Sequence, residues 1–556
     1  MRIATKGLKG LSALILLAAT YVAVADEPVD VSSPRSPGEA IAVGEALEDA
    51  SRWAEAIEFY ENVLERWQDD SSDQQRLSDS DDPDLEALEY ALRRSRVHFG
   101  IDRRYIDESF GTELLRKSRS QALDLLEDVL SRVQMEYFKS ISAKRFVAHG
   151  TESFYMALSN DRFVRQHLPG ADDDAIDSVK GTLIRDYWNR PIGSQMEARS
   201  VVNNVCDLAH RELGIRSSAV IMEYIFGGCN ALDEYSHLLT PNRYNDLTGS
   251  IQGEFVGIGI EMVARAGDGM ELVRVLEESP AEEGGLHEGD YIVSIDGRDC
   301  RDFSTDEAAR LLRGVSGSRV TLGFESEGTY QEGSFVRRAV QVRSITKVQM
   351  LDREQGIGYF RQTGFQSSTV EELDAALSQL HNQGMKSLVW DLRKNPGGLL
   401  DVAARVLDRF IDNGVLVSTK GRTYDQNQTF TARSWSTHEM PLVLLVDKES
   451  ASASEIVAGA IRDHKRGQIV GEKTYGKWSV QSIIHMPGGT GLKLTTAKFY
   501  SPNNINYSGK GLPPDVEVEA YEVARRGLRP NLFTDQVVAE AIDILSSPGY
   551  AANRRR

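Results

Sequence analysis

Near Gly253 the apolar residues of this chain change their period, and that change forces more than one architecture on it. From about Ala40 to Ile225 they recur at helical spacing with few prolines, whereas after Gly253 they fall in short β-branched runs broken by glycine. A stretch patterned for helices does not settle as strands, so the two parts belong to different layers. Within the helical part, Trp53-Ala54-Glu55-Ala56-Ile57-Glu58-Phe59-Tyr60, continuing to Leu64, has the small-and-aromatic spacing of one helical-hairpin repeat unit. Asp69 to Asp84 is acidic and serine-rich and reads as a solvated loop. The helical part ends at Gly227-Gly228, and its expected role is a platform or an oligomerisation surface for copies of this chain.

Past Gly253, strands are expected at Phe255–Val263, Met270–Val275, Tyr291–Ile295 and Val320–Phe324, with a helix over Ser304–Leu312 whose first turn holds Asp306 and Glu307. That makes a compact β-rich module. From Gly356 strands and helices alternate: Gly356–Arg361, Val370–Asn382, Ser387–Leu392, Leu400–Asp412, Leu442–Val446, Ser454–His464, Gln468–Val470. Such alternation predicts an α/β core.

Composition narrows the function classes. With 64 Lys+Arg against 83 Asp+Glu, the formal charge of −19 argues against a nucleic-acid partner, although net charge leaves a local basic patch open. Cys206, Cys229 and Cys300 form no C-x-x-C pair and allow at most one bridge, so the core and not a disulfide framework holds the chain. The histidines are dispersed, with no H-E-x-x-H, and neither a metal nor another cofactor is expected. Arg2, Lys6 and Lys9 precede an apolar run, Leu11 to Ala19, and then Ala23-Val24-Ala25, the pattern of a secretory signal cut before Asp26. Its loss would remove three positive residues and leave −22. The chain is thus expected to be periplasmic or extracellular, or membrane-associated if the signal is retained. Pro28 to Pro37 reads as a linker.

The stretch Glu449-Ser450-Ala451-Ser452-Ala453-Ser454-Glu455-Ile456 follows a strand and opens a helix. Small residues around a serine at such a turn let another backbone approach it, as a nucleophile requires. Ser452-Ala-Ser-Glu455 also fits a capping box, in which a serine does no chemistry. A serine needs a base, and no histidine stands out: His464 lies twelve residues along the same helix, roughly 18 Å away, and cannot touch it. Gly471-Glu-Lys-Thr-Tyr-Gly476-Lys477-Trp478 begins like a phosphate-binding loop. Trp478 replaces the metal-holding hydroxyl, however, and Val480 to Met486 continues as a strand where that loop needs a helix. A lysine between glycine and tryptophan suits burial, which lowers its pKa and frees a neutral amine as base.

These segments resemble the carboxyl-terminal processing peptidases, or tail-specific proteases, which use a Ser/Lys dyad. The resemblance rests on Ser450-Ala-Ser-Ala-Ser454-Glu-Ile, on Val470-Gly-Glu-Lys-Thr-Tyr-Gly476-Lys477, and on Gln481. It implies Ser452 as nucleophile, Lys477 as general base and Gln481 as the group orienting that lysine, the last two on one face if they share a strand. Trp390-Asp391-Leu392-Arg393-Lys394-Asn395-Pro396-Gly397-Gly398-Leu399-Leu400 resembles the family's glycine turn, which implies an oxyanion hole from the N–H groups of Gly398 and Ala453. Leu232 to Pro241 resembles the lead-in to the family's binding module, and Gly509 to Asp515 its closing segment. The β-rich module resembles a PDZ domain. Its Val256-Gly257-Ile258-Gly259-Ile260 would receive a peptide carboxylate on backbone N–H groups, and Ser279-Pro280-Ala281 through Gly297 matches the rest. Two positions depart from the pattern: Lys473 stands where proline is usual, a rival lysine, and Trp478 where glycine is usual, narrowing the approach. Asp463 matches an acidic position but lies about 16 Å along the helix from Ser452, which makes it structural.

The expected organisation is multidomain α+β: signal 1–25, linker 26–39, helical region 40–228, lead-in 229–252, PDZ domain 253–345, a protease core of the ClpP/crotonase-like type at 346–548, and a basic tail at 549–556. The expected function is an exported serine endopeptidase that takes protein or peptide substrates by exposed apolar C-termini, with no nucleic acid and no small-molecule cofactor. The alternative is a catalytically impaired PDZ and helical-repeat adaptor that binds protein C-termini.

Overall fold

A computed structural model describes residues 34, 36–69, 83–265, 267–276, 278–314, 316–433, 437–518, 535–547 and 550. The signal, most of the linker, nearly all of the acidic interruption and nearly all of the basic tail lie outside them. The described residues divide into two compact units. One holds Asp246–Val480 and the residues from Ala497 onward; the other holds the residues up to Asn245 together with Gln481–Thr496.

The second unit is helical. Its first helix, Pro37–Asp49, begins inside the span read as linker, with Pro37 in the first turn and Ser36 accepting from Glu39 N–H. With Trp53–Asp69 it makes a helical hairpin in which the Tyr60 ring fills the space over Gly44. At the unit's centre, Ser217–Cys229 is buried along nearly its whole length and packs on Ala143–Ala157, where Gly150 meets Tyr224 and Gly227 meets Ser153. His237–Leu239 pairs antiparallel with residues 491–493.

In the first unit, the β-rich module forms a sheet in the order Ile260–Arg265, Gly269–Val275, Tyr291–Ile295, Arg319–Ser326, Thr329–Val336. The strand expected over 255–263 is two strands, Glu254–Gly257 and Ile260–Arg265, because the chain breaks at Gly259. There φ is +87°, and a Cβ would run into Ser279. Glu254–Gly257 leaves the main sheet to pair with Arg338–Gln341. Ile260–Arg265 is left as an edge strand beside the helix Thr305–Leu312, whose capping box joins Ser304 and Glu307.

The α/β core is a six-stranded sheet in the order Ile345–Asp352, Ile357–Gln362, Ser387–Asp391, Leu442–Val446, Gln468–Gly471, Val516–Glu517, parallel except for the first pair. Alternation sorts its residues as a two-sided sheet requires. Phe360, Leu388, Trp390, Leu442, Leu444 and Ile469 pack on one face with the helices Thr369–Asn382, Leu400–Leu407 and Ala453–Asp463. Tyr359, Val389, Val443, Leu445 and Val470 pack on the other with Gln536–Ser546. The helix expected to reach Asp412 stops at Leu407. In parallel sheets the loops leaving the carboxyl ends of neighbouring strands build the site, and here those loops are 392–399 and 447–452.

Candidate active site

The two loops are stitched together by buried polar groups. Asp447 accepts at Oδ1 from the N–H groups of Lys394, Glu449 and Ser450, each at 3.0 Å. The Ser450 hydroxyl donates to the Leu392 carbonyl at 2.9 Å, and the Ser454 hydroxyl to the Asn395 carbonyl at 2.9 Å. Ala451 N–H also donates to Asn395 O, and Asn395 Oδ1 accepts from Gly397 N–H. Ser450 and Ser454 are fully buried and spent on architecture.

Ser452 differs from both. It is half-buried, and its backbone sits at φ 55°, ψ −113°, a conformation costly for any side chain. The chain's ordinary capping serines, Ser36, Ser118, Ser142, Ser194 and Ser304, have extended backbone and accept from the third residue of their helices through the hydroxyl. Ser452 makes no such side-chain bond. Of the expected capping box, Glu455 Oε2 accepts from Ser452 N–H at 3.0 Å. The strained backbone is held by the neighbouring turn: a Cβ on Gly397 would meet Ala451 O, Ala453 N and Ser452 Cβ within 2.8 Å. Gly398 adopts φ +151° against Phe365. Its N–H and that of Ala453 have no acceptor among the described residues.

Glu455, read from sequence only as a cap, is the residue that binds the Ser452 segment to the Lys477 segment. Its carboxylate is fully buried and accepts at Oε1 from Thr474 Oγ1 at 2.7 Å, Gly476 N–H at 2.7 Å and Trp478 Nε1–H at 3.0 Å. Oε2 accepts from Lys477 N–H at 2.8 Å besides Ser452 N–H. Burial pushes this carboxyl above its ordinary pKa, and the hydrogen bonds pull back toward the anion. Lys477 is half-buried in the same loop. Gly476 closes against the segment 509–511, where a Cβ would meet Gly511 N at 2.8 Å.

Trp478 corrects an expectation. Its ring is buried, stacked on Phe499 at 4.7 Å and tilted on Tyr507 at 4.9 Å, with its N–H on Glu455, so it supports the site from the core instead of narrowing the approach. Lys473 has an exposed side chain. Gln481 lies on the strand Ser479–His485, which starts two residues after Lys477, so the shared-face argument from strand alternation does not apply. Its carboxamide donates to Thr495 Oγ1 at 3.4 Å, and that hydroxyl donates to Asp233 of the lead-in motif at 3.0 Å. His464 Nε2 lies 2.7 Å from the Val415 carbonyl, and Asp463 accepts from Asn503 N–H.

In the β-rich module, Ile258 is a core residue whose carbonyl accepts from Ala281 N–H, and Gly259 O accepts from Leu276 N–H. The N–H groups of Ile258 and Gly259 have no acceptor among the described residues, at the entrance to the open edge Ile260–Arg265.

Residues 356–518 match the model of peptidase family S41, and 271–326 match that of the PDZ domain. A carboxy-terminal-processing protease of Bartonella bacilliformis is 37% identical over 307 residues, 54% of this chain and 70% of that one. The chain belongs to the carboxyl-terminal processing proteases. Carboxyl-terminal-processing proteases of Synechocystis sp. (37% over 294 residues, 52% of this chain and 68% of that one) and Picosynechococcus sp. (35% over 321 residues, 56% and 76%) match similarly. It is therefore a serine-type peptidase of the S41 family with a PDZ domain. The matched lengths are just over half of this chain, and among the described residues no helix is long and apolar enough to cross a membrane.

Proposed function

We propose that the chain is an exported endopeptidase that captures the C-terminal tail of a protein through its PDZ domain and cleaves near that tail with a Ser452/Lys477 dyad. The observation carrying the dyad is the contrast among three serines: Ser450 and Ser454 have hydroxyls committed to backbone carbonyls, while Ser452 is strained, accessible and uncommitted. In the reaction, the neutral Lys477 amine takes the proton from Ser452 Oγ as that oxygen bonds to the scissile carbonyl carbon. The carbonyl oxygen becomes an oxyanion held by Gly398 and Ala453 N–H. The C–N bond breaks as the ammonium returns its proton to the leaving amine, and water then attacks the acyl-enzyme with the same lysine as base. Gln481 orients the lysine in this reading.

The substrate's terminal carboxylate would rest on the Ile258 and Gly259 N–H groups, and its last residues would extend the sheet at Ile260–Arg265. A mature charge near −22 gives acidic tails no long-range attraction, which favours apolar C-termini. With Trp478 buried and Lys473 exposed, the features behind a catalytically impaired adaptor lose their force. The test is cleavage of a model protein with an apolar tail. Lys477→Ala should lower kcat by at least about 10²-fold, the scale of a lost general base, with the fold intact. Wild-type turnover by purified Lys477→Ala would overturn the dyad.

A further inference from the structure

In the helical unit, Arg116, Lys117, Arg119 and Arg216 gather with His210 around a cavity of about 480 Å³. Such crowding of cations is unexpected in a chain of charge −19. Arg119 is partly neutralised, 2.7 Å from Asp207 and bonded to the Asn203 carbonyl. The side chains of Arg116, Lys117 and Arg216 make no hydrogen bond or ion pair among the described residues, while Arg94, Arg96, Arg104 and Arg199 of the same unit each reach a carboxylate. Isolated surface cations are ordinary and solvated. Several un-neutralised ones lining one concavity raise its potential together.

The cavity wall also carries the start of the buried helix Ser217–Cys229, whose N-cap is Arg216. An arginine side chain has no acceptor, so the N–H groups of Ser217 and Ser218 have no partner among the described residues. The Ser218 hydroxyl is spent on the Leu115 carbonyl. Lys117 is held over Gly488, where a Cβ would collide with its amine. The cationic side chains and the N–H groups of Ser217 and Ser218 at this wall are thus donors, from guanidiniums, an ammonium and a helix start.

We propose that this cavity binds a phosphate ester. The guanidiniums of Arg116 and Arg216 together with helix N–H groups suit a tetrahedral oxyanion with several acceptor oxygens, and the volume exceeds one inorganic phosphate, leaving room for the esterified group. The ester has two sources, a soluble phosphate ester or the phosphodiester headgroup of a lipid, and the experiment separates them. Calorimetric titration of the full chain uses sn-glycerol 3-phosphate at fixed ionic strength, and sedimentation uses phosphatidylglycerol against phosphatidylcholine vesicles. The variant is Arg116→Gln/Lys117→Gln/Arg216→Gln, three side chains that bond to no other side chain among the described residues, so its thermal unfolding and its peptidase activity should match wild type. Its Kd should rise at least about tenfold in whichever arm binds, as expected for lost charge-assisted bonds. Saturable glycerol phosphate binding with that loss supports a soluble ester, and phosphatidylglycerol-selective sedimentation with that loss supports a headgroup. Should the triple variant misfold, Arg216→Gln alone should raise Kd about threefold or more, the same bonds being lost singly. No binding in either arm, or binding kept within twofold by the variants, overturns the proposal.

Discussion

Glu455 shows what a single residue carries here. Five donors from 452 and 474–478 converge on one buried carboxylate, so any change at this position affects both the serine and the lysine segments. Glu455→Gln keeps the shape but points an NH2 group at N–H donors. Leaving buried donors unpaired costs about 1–3 kcal/mol each, so chemical denaturation should show a loss of at least about 2 kcal/mol, with kcat falling as well. Unchanged stability and turnover would mean the carboxylate does not hold the loops. Trp478→Gly, the residue expected from the family pattern, should cost about 3–5 kcal/mol through the cavity beside Phe499 and Tyr507, read in the same unfolding experiment. The strand-to-helix turn at Ser452 was legible in the sequence because small residues after an apolar strand are a local signal. Glu455 was visible only as a cap, since four of its donors lie about twenty residues further along. Trp478 was misread because its neighbours Phe499 and Tyr507 are distant in sequence.

At the scale of elements, the alternating segments from Gly356 onward were legible because parallel strands buried on both faces read as continuous apolar runs. The strands Val415–Gly421 and Gly491–Tyr500 were missed, having mixed polar faces. The break at Gly259 was hidden because Ile258 and Ile260 prolong the apolar run while the turn depends on Ser279. Arg393 ties two elements: it lies 2.7 Å from the buried Asp391 at a strand end and 2.8 Å from Asp535, the cap of Gln536–Ser546. Breaking a buried pair by removing one partner costs about 3–5 kcal/mol. Arg393→Met should therefore destabilise the core on that scale and open the last helix to limited proteolysis, whereas protection equal to wild type would show that the helix docks without it. In the helical unit, His98 is stacked on Trp53 at 4.4 Å and burial lowers its pKa to about 4. An unfolded histidine titrates near 6.5, so between these values the unfolded chain binds more protons and stability falls as pH falls. The expected loss from His98 is up to ~3.5 kcal/mol at ~1.4 kcal/mol per pKa unit, and His98→Gln should reduce the pH dependence of unfolding between pH 6.5 and 4, with His167, also lowered to about 4 by burial, supplying what remains.

For the whole molecule, the charge of −19 excluded little beyond nucleic acid, and the fold has given it a finer meaning: acidic on average, with Arg116, Lys117, Arg119 and Arg216 gathered around a cavity in the helical unit. The change of period at Gly253 marks the helical-to-β transition, but it could not show that 481–496 returns to the helical unit, because membership there is decided by packing of Ile484, Met486, Leu492 and Leu494 far from it in sequence. At this scale the account predicts that a substrate with an amidated C-terminus is cut with a KM raised about tenfold or more, the worth of a lost charge-assisted carboxylate contact, and with kcat little changed. Equal KM values for free and amidated tails would exclude carboxylate capture. The central claim is that Ser452 alone among the three neighbouring serines is the nucleophile. A fluorophosphonate probe followed by peptide mass mapping tests it most directly on wild type, Ser450→Ala, Ser452→Ala and Ser454→Ala. The account predicts one adduct, on Ser452, absent in Ser452→Ala together with all tail cleavage. An adduct on Ser450 or Ser454, or cleavage by purified Ser452→Ala, would contradict it.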